Sequence, residues 1–501
     1  MSKTKSPTSP AQRLRRSLRR NLGSGGAGRT LGVLAAVAVA SAGIVLNTGT
    51  TGAAPAPDPR ITTDPEPSSP QPAPAPSSLT FRQGPLSGTA SLAQSGILVG
   101  SPQQVLLDIA LKATAEAHHP RVPVAMTLVL DRSGSMSGQK LEQARRSVLQ
   151  ALERMQDSDW FGFVAYDHAA QTLVPLQPVG PNRASIRATV MNVRTGGGTQ
   201  IPQGLERGFQ TLQSAPAGYA RRIVLVSDGI DGSGVGVEGA RTAVARYGQS
   251  AVTVAALGIG TDYEEAFLTA VADAGNGAYA YLATGSELQG FLAQEMSAAS
   301  AMVAERVAFD FALPPNTRFV AAYGATASHA AGGVHLDVGN MAAGDQRHVV
   351  LQLESTAVAT GPLGGIGVRF HFADRGTGRP ASLHAGTLQL TGVSDEALAA
   401  ATRNDQAFAA AKAVLLEQSQ LEAMNEWRSG NVEGAIRMAR DNAAQLDRLR
   451  RLAPASPSVS AAAAAAEADA VSFEELEPYS AGGRGYSLRS NAARRSRATG
   501  L

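Results

Sequence analysis

Between residues 122 and 300 the chain alternates short, β-rich apolar runs with stretches whose apolar positions recur every three or four residues. The runs 124–130, 161–166, 222–227, 251–257 and 278–282 predict strands, and 172–176 predicts a short edge strand. Between the first two, Leu141, Ala144, Val148, Leu149, Leu152 and Met155 hold helical spacing with charges elsewhere, which predicts a helix covering one face of a sheet. Ile201, Leu205, Phe209 and Leu212 form a second such stripe after a glycine-rich turn. Strand and helix in alternation imply an α/β unit, a doubly wound and mainly parallel sheet with helices on its faces.

The pattern changes on both sides of this unit. Over 306–392 strands such as Val307-Ala308-Phe309-Asp310-Phe311, 349–353 and 368–372 alternate with Gly, Pro and Asn turns, and no long helical stripe interrupts them. That predicts an antiparallel β-sandwich. The stretch 86–121 carries similar runs, such as 105–111, so the α/β unit (122–300) is expected to be inserted in the sandwich or followed by it. Over 394–452, Phe408, Ala411 and Leu415 lie on one helical stripe. Val432, Ile436, Ala439, Ala443, Leu446 and Leu449 lie on another, and the break at Arg428-Ser429-Gly430-Asn431 predicts a helical hairpin. The alanine-rich and then Gly/Arg/Ser-rich segment 453–501 is expected to be disordered.

At the amino end, residues 1–30 hold eight Lys and Arg and no acid, the first acidic residue being Asp58. They precede an uncharged apolar run, 31–46, which predicts an export signal or a transmembrane anchor. The apolar Gly43-Ile44-Val45-Leu46 after the small Ala40-Ser41-Ala42 favours an uncleaved anchor with the basic end cytoplasmic. Residues 53–78, rich in Pro, Ala and Ser, predict an extended stalk. The expected localisation is the cell membrane, single-pass with an extracytoplasmic head. The alternative is a secreted or periplasmic protein after signal cleavage.

Composition narrows the chemistry. A chain of 501 residues has material for two or three folded units, and its formal net charge of +3, with basic residues gathered at the ends, points away from nucleic acid. Cysteine is absent, which excludes disulfides, zinc–thiolate sites and thiol catalysis. Any metal must sit on oxygen or imidazole.

Oxygen donors gather where an open α/β sheet builds its sites. Asp131 ends the first predicted strand, at the carboxyl edge of the sheet, and Ser133 and Ser135 follow it in the tight loop Asp131-Arg132-Ser133-Gly134-Ser135. Thr199 closes the turn Thr195-Gly196-Gly197-Gly198-Thr199, and Asp228 ends the strand 223–227. Two carboxylates and three hydroxyls suit magnesium, a hard ion that wants octahedral oxygen and keeps several waters. Asp-x-Ser-x-Ser alone is more often a helix cap than a metal site. Thr199 and Asp228 likewise fall in loops at strand or helix ends, where they can join the same set.

These residues resemble the metal-ion-dependent adhesion site of the von Willebrand factor type A domains, whose pattern is Asp-x-Ser-x-Ser, then a distant Thr, then a distant Asp. The resemblance spans about 124–300, including Gly258-Ile259-Gly260-Thr261 after a late strand. It implies that Ser133, Ser135 and Thr199 bind the metal while Asp131 and Asp228 orient its waters. The implied ion is Mg2+, or Mn2+ or Ca2+ in its place. The order of units is also similar to bacterial proteins related to chloride-channel accessory and inter-alpha-trypsin-inhibitor heavy-chain proteins. With so few anionic ligands the ion would keep positive charge and an exchangeable position, so the implied partner is a protein offering an Asp or Glu.

An enzyme is not expected. The glycine turn lacks the Gly-Lys-Ser/Thr of a phosphate-binding loop, neither serine lies in a Gly-x-Ser-x-Gly elbow, and His168 is the one histidine in the α/β unit. Two alternatives to the adhesion module remain: an envelope scaffold without a metal-dependent ligand, and a magnesium-dependent hydrolase.

Overall fold

The computed structural model describes residues 77–114, 121–248, 250–330 and 332–499. The basic segment 1–30, the apolar run 31–46 and nearly all of the stalk 53–78 lie outside the described residues. The localisation expected from that run is corrected: no helix among the described residues is long and apolar enough to cross a membrane.

Four strands precede the α/β unit: β1 (Ser78–Gln83), β2 (Leu86–Leu92), β3 (Gly96–Leu98) and β4 (Pro102–Ala113). The unit itself runs β5 (Val124–Asp131), α1 (Gln139–Arg154), β6 (Trp160–Tyr166), β7 (Ala170–Pro178), α2 (Val179–Met191), α3 (Ile201–Leu212), β8 (Ala220–Ser227), α4 (Gly236–Gly248), β9 (Val252–Ile259), α5 (Glu265–Ala274), β10 (Asn276–Leu282) and α6 (Leu288–Ser300). Its sheet has the order β10-β9-β8-β5-β6-β7, parallel except for the β6–β7 edge pair. Every residue of β5 and β9 is buried, because helices cover both faces of a parallel sheet. On one face β5 packs under α1, α2 and α6, through Leu141, Val148, Ile186 and Leu292. On the other, Val129 and Leu225 meet α3, α4 and α5 through Leu205, Val244 and Phe267. Each such large apolar side chain stabilises the fold by roughly 1.5–3 kcal/mol on burial.

Strand order sets the site. From β5 the chain steps to β6 on one side, and β8 returns on the other side, so β5 and β8 are neighbours at the point where the winding reverses. The carboxyl ends of two such strands splay apart and leave a crevice. Asp131 and Asp228 stand at those two ends.

Seven strands follow: β11 (Met302–Ala312), β12 (Thr317–Tyr323), β13 (Thr326–Ala330), β14 (Gly333–Ala342), β15 (Gln346–Thr356), β16 (Gly361–Asp374) and β17 (Pro380–Val393). One sheet runs β1-β2-β4-β15-β12 and the other β13-β14-β11-β16-β17-β3. Strands from before and after the α/β unit thus share both sheets, with β4 paired to β15 from Pro102↔Thr356 to Lys112↔Gln346. The α/β unit is inserted in the sandwich. Its two ends meet where the Val122 amide donates to the Ser300 carbonyl at 2.9 Å. Between the sheets Phe81, Phe309 and Phe370 pack with ring centroids 4.9–5.7 Å apart.

The helical end is larger than a hairpin, and the disorder expected over 453–501 is corrected. After the short α7 (Glu396–Ala401) come α8 (Asp405–Ser429), α9 (Val432–Leu452), α10 (Pro457–Glu475) and α11 (Ala481–Thr499). Charges such as Lys412, Glu417 and Glu422 break up the longest of them, which is why none is apolar enough to span a bilayer. Gly430, at φ 97°, closes α8 in the left-handed conformation that a glycine adopts without strain. The alanine run of α10 forms a helix because alanine has the highest helix propensity, and Ser456 with Pro457 starts it. Its Val459, Ala462, Ala466, Ala470 and Phe473 share a buried face against α8 and α9. At the centre lies Asp469, 1% exposed, which accepts from Gln420 of α8 (2.9 Å) and from Tyr486, Ser490 and Arg494 of α11 (2.7, 2.8 and 2.5 Å). The α11 helix then reaches the α/β unit, with Leu488 in its core and Asn491 donating to Glu265 at 3.1 Å.

Replacing Asp469 by Ala strands the buried Arg494 guanidinium without its anion. Urea denaturation of D469A should show a loss of about 3–5 kcal/mol, with residues 481–499 becoming protease-sensitive. D447A, which removes an exposed partner of Arg450 and Arg451, should leave the midpoint unchanged.

Candidate metal centre

Three loops build the site, and main-chain bonds stitch them together. The Gly196 amide donates to the Arg132 carbonyl (2.7 Å) and the Gly134 amide to the Gly197 carbonyl (3.1 Å), joining the first loop to the glycine turn. The Gly232 amide donates to the Thr199 carbonyl (2.7 Å), which joins that turn to the loop after β8. The turn is also fixed from behind, because α3 lies close on the sheet: a Cβ on Gly208 would stand 2.5 Å from Val129 Cγ2. Thr199, two residues before α3, is thereby held beside the end of β5.

Within this frame Asp131, Ser133, Ser135 and Asp228 form one chain of contacts. The Ser133 amide donates to Asp131 Oδ1 at 2.8 Å, Ser133 Oγ and Ser135 Oγ lie 3.0 Å apart, and Ser135 Oγ donates to Asp228 Oδ1 at 2.8 Å. Thr199 joins through a shared surface rather than a bond: a Cβ on Gly229 would stand 3.4 Å from Thr199 Oγ1 and 3.6 Å from Ser135 Oγ. The two carboxylates are buried, while Ser135 lies at the solvent edge.

Asp131 is held by groups that no motif revealed. Ser227 donates to its Oδ2 at 2.7 Å, and Tyr166 OH approaches the same oxygen at 3.4 Å. Burial pushes the Asp131 carboxyl above its ordinary value; the Ser133 and Ser227 hydrogen bonds pull it back, and the nearby Asp228 charge pushes it up again. Burial likewise holds the Tyr166 phenol far above its usual range, so it stays a donor. Lys140, in the first turn of α1, places its ammonium on Asp228 Oδ2. Behind the glycine turn Asp167, 2% exposed, accepts from Arg132 at 3.1 Å and from the Ala169 amide at 3.0 Å. A Cβ on Gly196 would come within 1.9 Å of Asp167 Oδ2, so the turn seats there only as glycine. Ser227 and Tyr166 end strands that neighbour β5, so register alone could have pointed to them. Nothing in spacing pointed to Lys140.

The donor set fits a hard divalent ion. Octahedral Mg2+ with bonds of 2.0–2.1 Å needs neighbouring oxygens about 2.9 Å apart. The 3.0 Å separation of Ser133 Oγ and Ser135 Oγ matches that edge, and Asp228 Oδ1 stands 2.8 Å from Ser135 Oγ, beside the pair. The Lys140 ammonium already sits on Asp228 as a cation, so an entering ion meets a site organised for positive charge.

Comparison with known proteins identifies the domain and its fold. Residues 126–294 match the family model of the von Willebrand factor type A domain, and the chain carries that domain. A stretch of 199 residues is 32% identical to uncharacterized protein sll0103 of Synechocystis, covering 39% of this chain and 46% of that protein. A stretch of 120 residues is 34% identical to inter-alpha-trypsin inhibitor heavy chain H3 of Rattus norvegicus, covering 22% of this chain and 13% of that one. The matched stretch thus spans less than half the length of these relatives. Among solved structures, a von Willebrand factor type A protein from Catenulispora acidiphila superposes with a TM-score of 0.59 at 18% identity, over 75% of this chain and 91% of that one. The ArnB paralog VWA2 from Sulfolobus acidocaldarius superposes with a TM-score of 0.57 at 14% identity, over 83% of this chain and 99% of that one. At these identities the two structures share the fold. Domains of this family commonly hold a divalent metal, and relatives such as the inter-alpha-trypsin inhibitor heavy chains are generally not enzymes.

Two substitutions probe the site from opposite sides. K140M removes the resident positive charge from Asp228 and should tighten Mg2+ binding by roughly three- to tenfold, measured by calorimetry at fixed ionic strength. G196A forces the glycine turn off Asp167 and should weaken Mg2+ binding at least tenfold while the thermal midpoint moves little.

Proposed function

We propose that the von Willebrand factor type A head of this chain binds a partner protein through a divalent ion, Mg2+ by preference, with an Asp or Glu of the partner completing the coordination. Ser133, Ser135 and Thr199 would hold the ion, and Asp131 and Asp228 would hold its waters. The observation that carries this reading is the position of the oxygens. Ser135 and Thr199 face solvent at the crevice mouth, while both carboxylates lie behind them, buried and already engaged. An ion there leaves one side open to an incoming ligand. Ile230 and Val235, 64% and 45% exposed on the loop after β8, offer apolar contact beside that open side.

Catalysis fits the arrangement less well. The bonds described for the Ser133 and Ser135 hydroxyls run to each other and to Asp228, and His168 pairs with Asp167 rather than with either serine. A nucleophile needs a free base within hydrogen-bond reach, and the one carboxylate that Ser135 reaches, Asp228, is already engaged by the Lys140 ammonium. Specificity for one partner would come from the loops around the ion, as in any module where the metal contact is generic.

Manganese makes the test direct, since bound Mn2+ enhances water-proton relaxation through its exchangeable water. The full chain should bind about one Mn2+, and a glutamate-terminated peptide should lower the enhancement where its amide counterpart does not. D131A should bind at least a hundredfold more weakly. Mn2+ binding unaffected by D131A, or turnover of ester or phosphate substrates that requires Mg2+, would contradict the reading.

A further inference from the structure

We infer that the outer face of the sandwich carries a second metal site, built by Asp310, His335 and His371 and selective for a first-row transition-metal dication of the zinc class. These residues lie on three adjacent strands, β11, β14 and β16. Strand alternation puts them on one face. Phe309 and Phe311 flank Asp310, Val334 and Leu336 flank His335, and Phe370 and Phe372 flank His371, and all six flanking residues turn into the sandwich core. Asp310 and His335 stand directly opposite in the β11–β14 register, while His371 pairs with Ala308 and so stands diagonal to Asp310.

The carboxylate bridges the two rings. His335 Nδ1 lies 2.7 Å from Asp310 Oδ1 and His371 Nδ1 lies 3.5 Å from Asp310 Oδ2, and the three donor atoms all fall within 4.8 Å of one another. Tetrahedral zinc, with bonds of 2.0–2.2 Å to nitrogen and oxygen, needs donors about 3.3–3.5 Å apart. The longer contact already has that span, and the shorter one reaches it by opening less than about 1 Å. Rigid strands carry all three groups, so the rings need only turn to face the ion.

Two imidazoles and one carboxylate select zinc, cobalt, nickel or copper over magnesium, the reverse of the all-oxygen set in the head. Each of the three side chains is a third or more exposed, which leaves the fourth position to water or to an incoming ligand. The position faces a cleft between the sandwich and the head that is lined by Arg241, Asn276, Arg306, Asp337 and Ser382 as well as by the two histidines. Arg369, opposite Asp310 in the β11–β16 register, adds a positive charge nearby, so the expected affinity is micromolar rather than nanomolar.

Calorimetry with ZnCl2 on the tag-free, chelator-treated full chain tests this, with Co2+ absorption as a second readout of imidazole ligation. In excess Mg2+ to occupy the head, one zinc per chain should bind, H335A and H371A should each weaken it at least tenfold, and both variants should keep the wild-type Mg2+ isotherm. D131A should keep the zinc site. The three side chains point outward, so the variants should melt with the wild type. Should either fail to fold, H335Q and H371Q, which keep a polar side chain of similar size on the strand, give the same answer. Zinc binding of unchanged strength in the H335A/H371A double variant would overturn the inference, as would no zinc uptake by the wild type. The cluster would then be a cross-strand contact of a carboxylate with two imidazoles.

Discussion

Two carboxylates buried at the ends of neighbouring strands set the terms for the head of this molecule. Strand order leaves Asp131 and Asp228 side by side at the reversal of the winding, each almost wholly out of water. Their charges oppose one another, and burial alone already disfavours the ionised form of Asp131. The surroundings offset that cost. Ser227, Tyr166 and the Ser133 amide converge on one carboxylate, and Ser135 and Lys140 on the other. The glycine turn, seated on Asp167, brings the Thr199 hydroxyl to the same mouth. A divalent ion would satisfy the same field more completely than a single ammonium can.

Much of this was legible in the chain because the chemistry sits where the pattern changes. Asp131 directly follows the apolar run 128–130 and Asp228 follows the run 223–226 after Ser227, and in a parallel sheet such a run ends at the edge where sites form. The α/β unit and the sandwich were legible for a similar reason: period 3.6 and period 2 occupy separate stretches. What pattern could not show is contact between side chains on different elements. Lys140 falls on a helix whose polar face looks ordinary, and its pairing with Asp228 depends on how α1 lies over the crevice. Asp310, His335 and His371 lie up to 61 positions apart, and only the strand register gathers them.

The carboxyl-terminal segment was misread for a different reason. Its alanine-rich composition suggested disorder, yet Val459, Ala462, Ala466, Ala470 and Phe473 keep the spacing of a helix face. Small side chains bury little area each, so the pattern is faint, and the buried contact of Asp469 with Arg494 holds α10 to α11. Helices, sandwich and head thus meet in one folded body over the described residues, with α11 on the head and α8 on the first sheet of the sandwich. A membrane-anchored localisation rested on the 31–46 run alone, and none of the described helices supplies a span.

The central claim is that the crevice between β5 and β8 holds a divalent ion on three hydroxyls. Anomalous scattering from crystals of the full chain grown with Mn2+ tests it most directly. The account predicts a single strong peak in the crevice, about 2.2 Å from Ser133 Oγ, Ser135 Oγ and Thr199 Oγ1, with Lys140 swung away from Asp228. Crystals with Mn2+ bound only outside the crevice, or with the crevice empty and Lys140 still seated on Asp228, would contradict it.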